Sequence, residues 1–153
     1  LFEDNGRDIE ADAPANTTLL DFLRDRLRTT SVKKGCDEGQ CGACSVLLDD
    51  KQVCSCLMLA AQAQGAQVTT LEGLSKPGAP SAIQQAFLEK YGFQCGFCTP
   101  GMMLATKALL DQNPQPTVED IKEALDGNLC RCTGYEQIIE SVVRAAELMK
   151  QPA

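Results

Sequence analysis

The stretch Gly35-Cys36-Asp37-Glu38-Gly39-Gln40-Cys41-Gly42-Ala43-Cys44 carries three cysteines at C-x4-C-x2-C spacing. Outward from it, the remaining thiols also fall in tight groups: Cys54 and Cys56, Cys95 and Cys98, Cys130 and Cys132, nine cysteines in all. Thiols in such number serve as an extracellular disulfide framework, as metal ligands, or as scattered buried side chains. The odd count argues against a disulfide framework, and so does the lack of a visible secretory signal. The chain opens at Leu1 without a methionine, so a trimmed start is expected and the missing signal weighs little. Buried structural thiols would not bunch in this way. Metal ligation is the reading that the grouping supports.

For the first group, the spacing is that of a plant-type [2Fe–2S] centre, with a fourth cysteine further along the chain. One loop must deliver three thiolates to a compact dinuclear core, so its backbone has to wrap closely. The glycines at 35, 39 and 42 permit that path, and the loop's amides can donate to sulfur. A structural zinc site is the rival, but zinc pairs are usually C-x2-C twice. Cys54 and Cys56 compete for the fourth position. In an extended strand both would point to one face, so periodicity leaves the choice open.

The second constellation is split. Gln94-Cys95-Gly96-Phe97-Cys98-Thr99-Pro100-Gly101 holds C-x2-C before one helix start, and Leu129-Cys130-Arg131-Cys132-Thr133-Gly134-Tyr135 holds C-x-C before another. Helix N-termini favour thiolate charge through the dipole and the unpaired amides. Four such thiolates suit zinc and iron–sulfur equally on spacing alone.

Between these motifs the first half reads as strand and helix in an α+β pattern. Asp4-Asn5-Gly6-Arg7 signals a hairpin, with strands over Leu1–Glu3 and Arg7–Ala11. Thr17 or Thr18 caps a short helix with Leu19, Leu20, Leu23 and Leu27 at helical spacing. Ser45–Leu48 and Lys51–Val53 form a second hairpin across Asp49-Asp50, and Gln67–Leu71 closes the sheet. The prolines and glycine of 74–80 read as a linker. Four helices follow. Ser81 opens the first, with Ile83, Phe87 and Leu88 on one face. Thr99 caps the second, with Pro100 next, leading to Met103, Leu104, Ala108 and Leu110. Thr117 starts the third, with Ile121 and Leu125, stopped by Gly127. The fourth runs from Tyr135, its stripe being Ile138, Ile139, Val142, Val143, Ala146 and Met149. Short loops between four helices imply a bundle.

Composition removes several functions. The chain has 153 residues, 44% hydrophobic and 23% charged, which is a globular balance. A net charge of −7 would be repelled by phosphate, so no nucleic-acid partner is expected. No apolar run approaches the ~18 residues of a membrane span, so no direct membrane insertion is expected. There are no histidines, which excludes triads, histidine bases and mixed Cys/His sites. No G-x-G-x-x-G or Walker motif is present. The carboxylates read as solvated helix faces, and Met102-Met103 as core rather than partner contact.

Taken with Asn128 ahead of the C-x-C group, the three motifs resemble the iron–sulfur subunit of the xanthine oxidase family, the molybdenum hydroxylases. The resemblance covers nearly the whole chain, in the family's order. It implies a ferredoxin-like β-grasp [2Fe–2S] domain over 1–74, a linker over 75–80 and a four-helix-bundle [2Fe–2S] domain over 81–153. It implies Cys36, Cys41, Cys44 and Cys56 as ligands of one cluster, and Cys95, Cys98, Cys130 and Cys132 as ligands of the other. Ser55-Cys56-Leu57 matches the family's fourth-ligand segment, which leaves Cys54 as a free thiol. Gln94 matches a glutamine near the molybdopterin, which belongs to a separate large subunit.

The implied function is electron transfer. Electrons from molybdopterin would cross the second cluster, then the first, and reach a flavin or haem on an FAD-binding or cytochrome subunit. The chain would bind no substrate itself. A cytoplasmic setting is expected, with the periplasm as the alternative given the trimmed start. Two rivals come from other classes: a free-standing ferredoxin, which would need only the first half, and a zinc-stabilised interaction module with four-cysteine sites.

Overall fold

A computed structural model describes residues 2–76 and 78–150. β1 (Phe2–Asp4) and β2 (Arg7–Ile9) pair antiparallel across Asn5-Gly6. Asn5 at φ 52° and Gly6 at φ 80° are both left-handed, as a two-residue hairpin requires. The returning strand ends at Ile9, short of the expected Ala11. The first strand reaches Asp4, and Leu1 lies outside the described residues. β3 (Ser45–Leu48) and β4 (Lys51–Cys54) repeat the device, with Asp49 at φ 48° and Asp50 at φ 63°.

β5 (Gln67–Thr69) closes the sheet from its centre, parallel to β1 and antiparallel to β3, so the order is β2-β1-β5-β3-β4. It stops before the expected Leu71 because Asn5 captures the exit. The Asn5 Oδ1 accepts the Thr70 N–H at 2.9 Å, and its Nδ2 donates to the Thr70 hydroxyl at 2.8 Å. The chain then turns through a 3-10 turn, Leu71–Leu74.

Thr18, not Thr17, caps α1 (Leu19–Asp21), accepting from the Asp21 N–H at 3.1 Å. The helix widens at once into a π turn over Phe22–Arg26, where the Leu27 N–H bonds the Phe22 carbonyl. Widening rotates Phe22 and Leu23 into the core and leaves Leu27 half-buried. Leu19, Leu20, Phe22 and Leu23 pack with Val46, Val68 and Phe2. Successive strand residues face opposite ways, so Leu47 points away from this core. It is fully buried all the same, because a helix from the second half lies against β3 and β4.

That helix is α3 (Thr99–Gln112), one of four with α2 (Ala82–Glu89), α4 (Val118–Leu125) and α5 (Glu136–Lys150). These share one core, including Phe87, Met102, Ile121, Ile138 and Val142. Ser81 with Gln84 and Thr117 with Asp120 form reciprocal capping boxes that start α2 and α4. Three expectations change here. Leu88 sits off the buried face and is 57% exposed, its place taken by Ala86. The stripe of α5 is narrower than read, since Val143 and Met149 are exposed, Ile139 is half-buried and Ala145 is buried instead. Cys98 rather than Thr99 occupies the cap position of α3, with no side-chain cap bond. Residues 99–106 of α3 are all buried, because this segment is enclosed by the sheet on one side and by helices on the other.

Candidate metal centres

The loop 35–44 wraps around the Cys36 sulfur. Amides of Glu38, Gln40 and Cys41 donate to its Sγ at 3.4, 3.3 and 3.4 Å, and the Cys36 amide donates to the Cys41 Sγ at 3.4 Å. Converging amides of this kind form an anion nest. They bring the Cys36 thiol down to about 7, the Glu38 amide contributing most. Gly42 is left-handed at φ 66°, and a Cβ there would run into the Gly127 carbonyl. A Cβ on Gly101 would lie 2.5 Å from the Gly42 carbonyl oxygen, so α3 approaches the loop as closely as backbone allows.

Cys44 is buried beside Cys56, whose thiol is pushed up to about 12 by burial and then by its contact with Cys44. Cys54 ends β4, whereas Cys56 stands in the 3-10 turn Ser55–Leu57, so they no longer share a strand face. Both remain near Cys44, but Gly39 acts on them differently. Its amide lowers the Cys56 thiol, against the larger effect of burial, while the Cys54 thiol donates to the Gly39 carbonyl at 3.7 Å. Burial raises Cys54 as well. Its S–H is thus used to satisfy a carbonyl, which a thiolate ligand could not do.

The second group has the same pairwise form. Cys132 and Cys95 lie with sulfurs 3.5 Å apart at the surface. Cys98 faces Cys130, and burial followed by Cys130 pushes Cys98 up to about 12. Burial also opposes the Cys130 thiolate, but the Thr133 hydroxyl and the amides of Thr133 and Cys132 outweigh it and lower the thiol. The Thr133 Oγ1 is 3.2 Å from that sulfur, and the Cys130 N–H donates to the Tyr135 hydroxyl at 2.8 Å. Cys98 lies at the start of α3 as expected. Cys132 does not adjoin α5, since Thr133–Tyr135 intervene before Glu136. The hydroxyl of Thr99, next to Cys98, is buried without a partner among the described residues.

The thiols therefore gather in twos: Cys36 with Cys41, Cys44 with Cys56, Cys95 with Cys132, Cys98 with Cys130. Two thiolates on one tetrahedral metal at ~2.3 Å stand about 3.8 Å apart, close to the Cys95–Cys132 separation. Among the described residues no three Cys, Asp or Glu side chains converge on one point in the way a single ion requires. Thiols crowded in pairs, with Cys44 and Cys56 buried and Cys98 and Cys130 half-buried, fit a dinuclear centre, and the orphaned Thr99 hydroxyl fits sulfur acceptors beside it. Each quartet could hold such a group.

The two quartets are joined. The Leu129 N–H donates to the Cys41 carbonyl at 2.9 Å, linking the backbones of both thiol loops. Asn128, 2% exposed, donates through Nδ2 to the Gly42 carbonyl at 3.0 Å, and its Oδ1 accepts from Gln52 Nε2 at 2.8 Å. The Asn128 contact is visible in sequence only as a residue preceding Cys130, and Gln52 carries no signal at all. Gln94 is exposed on the rim of the second quartet, beside exposed Cys95 and Phe97.

Against known proteins, residues 2–72 match the 2Fe-2S iron-sulfur cluster binding domain and residues 70–143 the [2Fe-2S] binding domain. The chain is 54% identical to the nicotinate dehydrogenase small FeS subunit of Eubacterium barkeri, over 86% of this chain and 84% of that one. Its fold superposes on quinoline 2-oxidoreductase from Pseudomonas putida 86 with TM-score 0.93 and 40% identity, covering 95% of this chain and 91% of that one. It superposes equally on the aldehyde oxidoreductase of Desulfovibrio gigas, TM-score 0.93 and 42% identity, covering 99% of this chain and 17% of that longer one.

Proposed function

The chain belongs to the iron–sulfur small subunits of the xanthine oxidase family of molybdenum hydroxylases, and from that premise we propose how its residues carry out electron transfer. Cys36 and Cys41 would hold one iron of the first [2Fe–2S] cluster, and Cys44 and Cys56 the other. Cys95 with Cys132, and Cys98 with Cys130, would hold the second cluster. When bound, each centre supplies one-electron uptake and release at constant protein structure. The amide nest on Cys36 and the Thr133 hydroxyl on Cys130 stabilise thiolate charge in each of the two ligand sets.

The observation that carries this reading is the hydrogen bond from the Leu129 N–H to the Cys41 carbonyl. It gives two ligand loops, from halves distant in sequence, a direct hydrogen-bonded connection. A free-standing ferredoxin has no use for it.

The exposed edge of Cys95, Cys132, Phe97 and Gln94 supports docking of a large molybdopterin subunit there, with Gln94 close to the pterin. Leu57, 67% exposed beside the first loop, supports an FAD-binding or cytochrome subunit on the other side. Likeness to the nicotinate and quinoline enzymes supports an N-heteroaromatic substrate for the complex, and likeness to the aldehyde oxidoreductase supports an aldehyde. The finer architecture we propose is a β-grasp over 1–74 and a four-helix bundle over 81–153 joined by 75–80, supported by two separate cores and by the turn closed between Lys76 and Ala79. Among the described residues no helix is long and apolar enough to cross a membrane, and cysteines that form no disulfide suit the reducing cytoplasm, with the periplasm as the alternative.

Metal and spin analysis tests the assignment. The full chain should hold about four irons and show two distinct paramagnetic centres on complete reduction. Zinc in place of iron, or one spin centre, would contradict it.

A further inference from the structure

Asn128 lies outside both ligand sets, yet it is among the few polar side chains buried in the molecule. Its position is unusual for what converges on it. The Nδ2 donates to the Gly42 carbonyl at 3.0 Å and lies 3.4 Å from the Ser45 hydroxyl. The Oδ1 accepts from Gln52 Nε2 at 2.8 Å, and Gln52 Nε2 also donates to the Ser45 hydroxyl at 3.1 Å. Gly42 follows Cys41 directly, and Leu129 follows Asn128, so the side-chain bond and the backbone bond from Leu129 to Cys41 run side by side. Glycine at 42 and at 101 leaves the space this amide occupies, since a Cβ on either would collide with it or its partners.

We propose that Asn128 is a positioning residue that clamps the first thiol loop to the second and holds the Leu129 N–H against the Cys41 carbonyl. The proposal rests on the two-cluster reading. The amide suits this place because the site needs a donor toward the Gly42 carbonyl and, from a separate atom, an acceptor toward Gln52. Gln52, half-buried on β4, fixes which way the amide faces by donating to its oxygen. A buried carbonyl left without its donor is costly, so the loops should separate or admit water when the amide is lost.

The test compares the full cluster-loaded chain with Asn128→Ala, Asn128→Asp and Gln52→Leu. Asn128→Asp keeps the size and the acceptor but removes the donor and adds a buried charge, so the uncharged Asn128→Ala and Gln52→Leu beside it separate loss of the clamp from the cost of that charge. Two readouts are used: hydrogen exchange at the Leu129 amide, and the magnetic interaction between the two reduced clusters. Exchange should quicken about tenfold or more in Asn128→Asp and Asn128→Ala, as expected for loss of a buried hydrogen bond. It should quicken less in Gln52→Leu. The magnetic interaction should weaken in the same order while both clusters stay bound. Parental exchange and coupling in Asn128→Asp would overturn the clamp alone. If Asn128→Ala does not fold, Asn128→Asp and Gln52→Leu decide the matter in the same way. A parent chain with a single spin centre would overturn the two-cluster reading and the clamp with it.

Discussion

Cys54 and Cys56 stand two residues apart, and the backbone of Gly39 gives them opposite duties. An amide directed at Cys56 favours a sulfur that carries negative charge, whereas a carbonyl directed at Cys54 favours one that keeps its proton. Cys56→Ser should therefore remove or badly destabilise the first cluster, while Cys54→Ser should leave both intact. Iron content and the visible spectrum of each purified variant check this, and loss of a cluster in Cys54→Ser alone would reverse the assignment. At this scale the gathering of the thiols was legible because a compact cluster needs several sulfurs from one short loop, and C-x4-C-x2-C is that demand in linear form. Periodicity left Cys54 and Cys56 open, since it does not register where β4 gives way to a 3-10 turn, and only the family resemblance pointed to Cys56. Asn128 and Gln52 were hidden for a related reason. Their roles arise from partners 76 to 86 residues away, which no local pattern encodes.

Among the elements, α3 couples the halves. Its first two turns are buried on every side, and this explains why its apolar pattern looked like a bundle helix yet understated its burial. Helix starts at Ser81 and Thr117 were legible because reciprocal capping is written within four residues. The one at Thr99 was displaced by a residue because Cys98 adopts helical dihedrals there. The π turn after α1 and the outward Leu88 had no sequence signature, since packing against the rest of the molecule selects them. Leu104, 1% exposed on α3, tests the coupling. Leu104→Ala should cost about 2–5 kcal/mol in denaturant unfolding. The loss should appear in one transition shared by both halves, because α3 lies against β3 and β4 as well as α4. Two separate transitions, with only the helical half weakened, would contradict that coupling.

For the molecule as a whole, eight grouped thiols lie in two halves joined back to back, with one quartet open at Cys95 and Cys132. A chain of this family with this layout is built to conduct electrons. The most direct test follows cluster colour by rapid mixing in the complex with the molybdopterin subunit after substrate is added. Parental complex should show prompt bleaching, Cys132→Ser complex should show it strongly slowed with substrate binding unchanged, and the isolated chain should turn over no substrate. Turnover by the isolated chain, or bleaching unaffected by the loss of Cys132, would contradict the conduit.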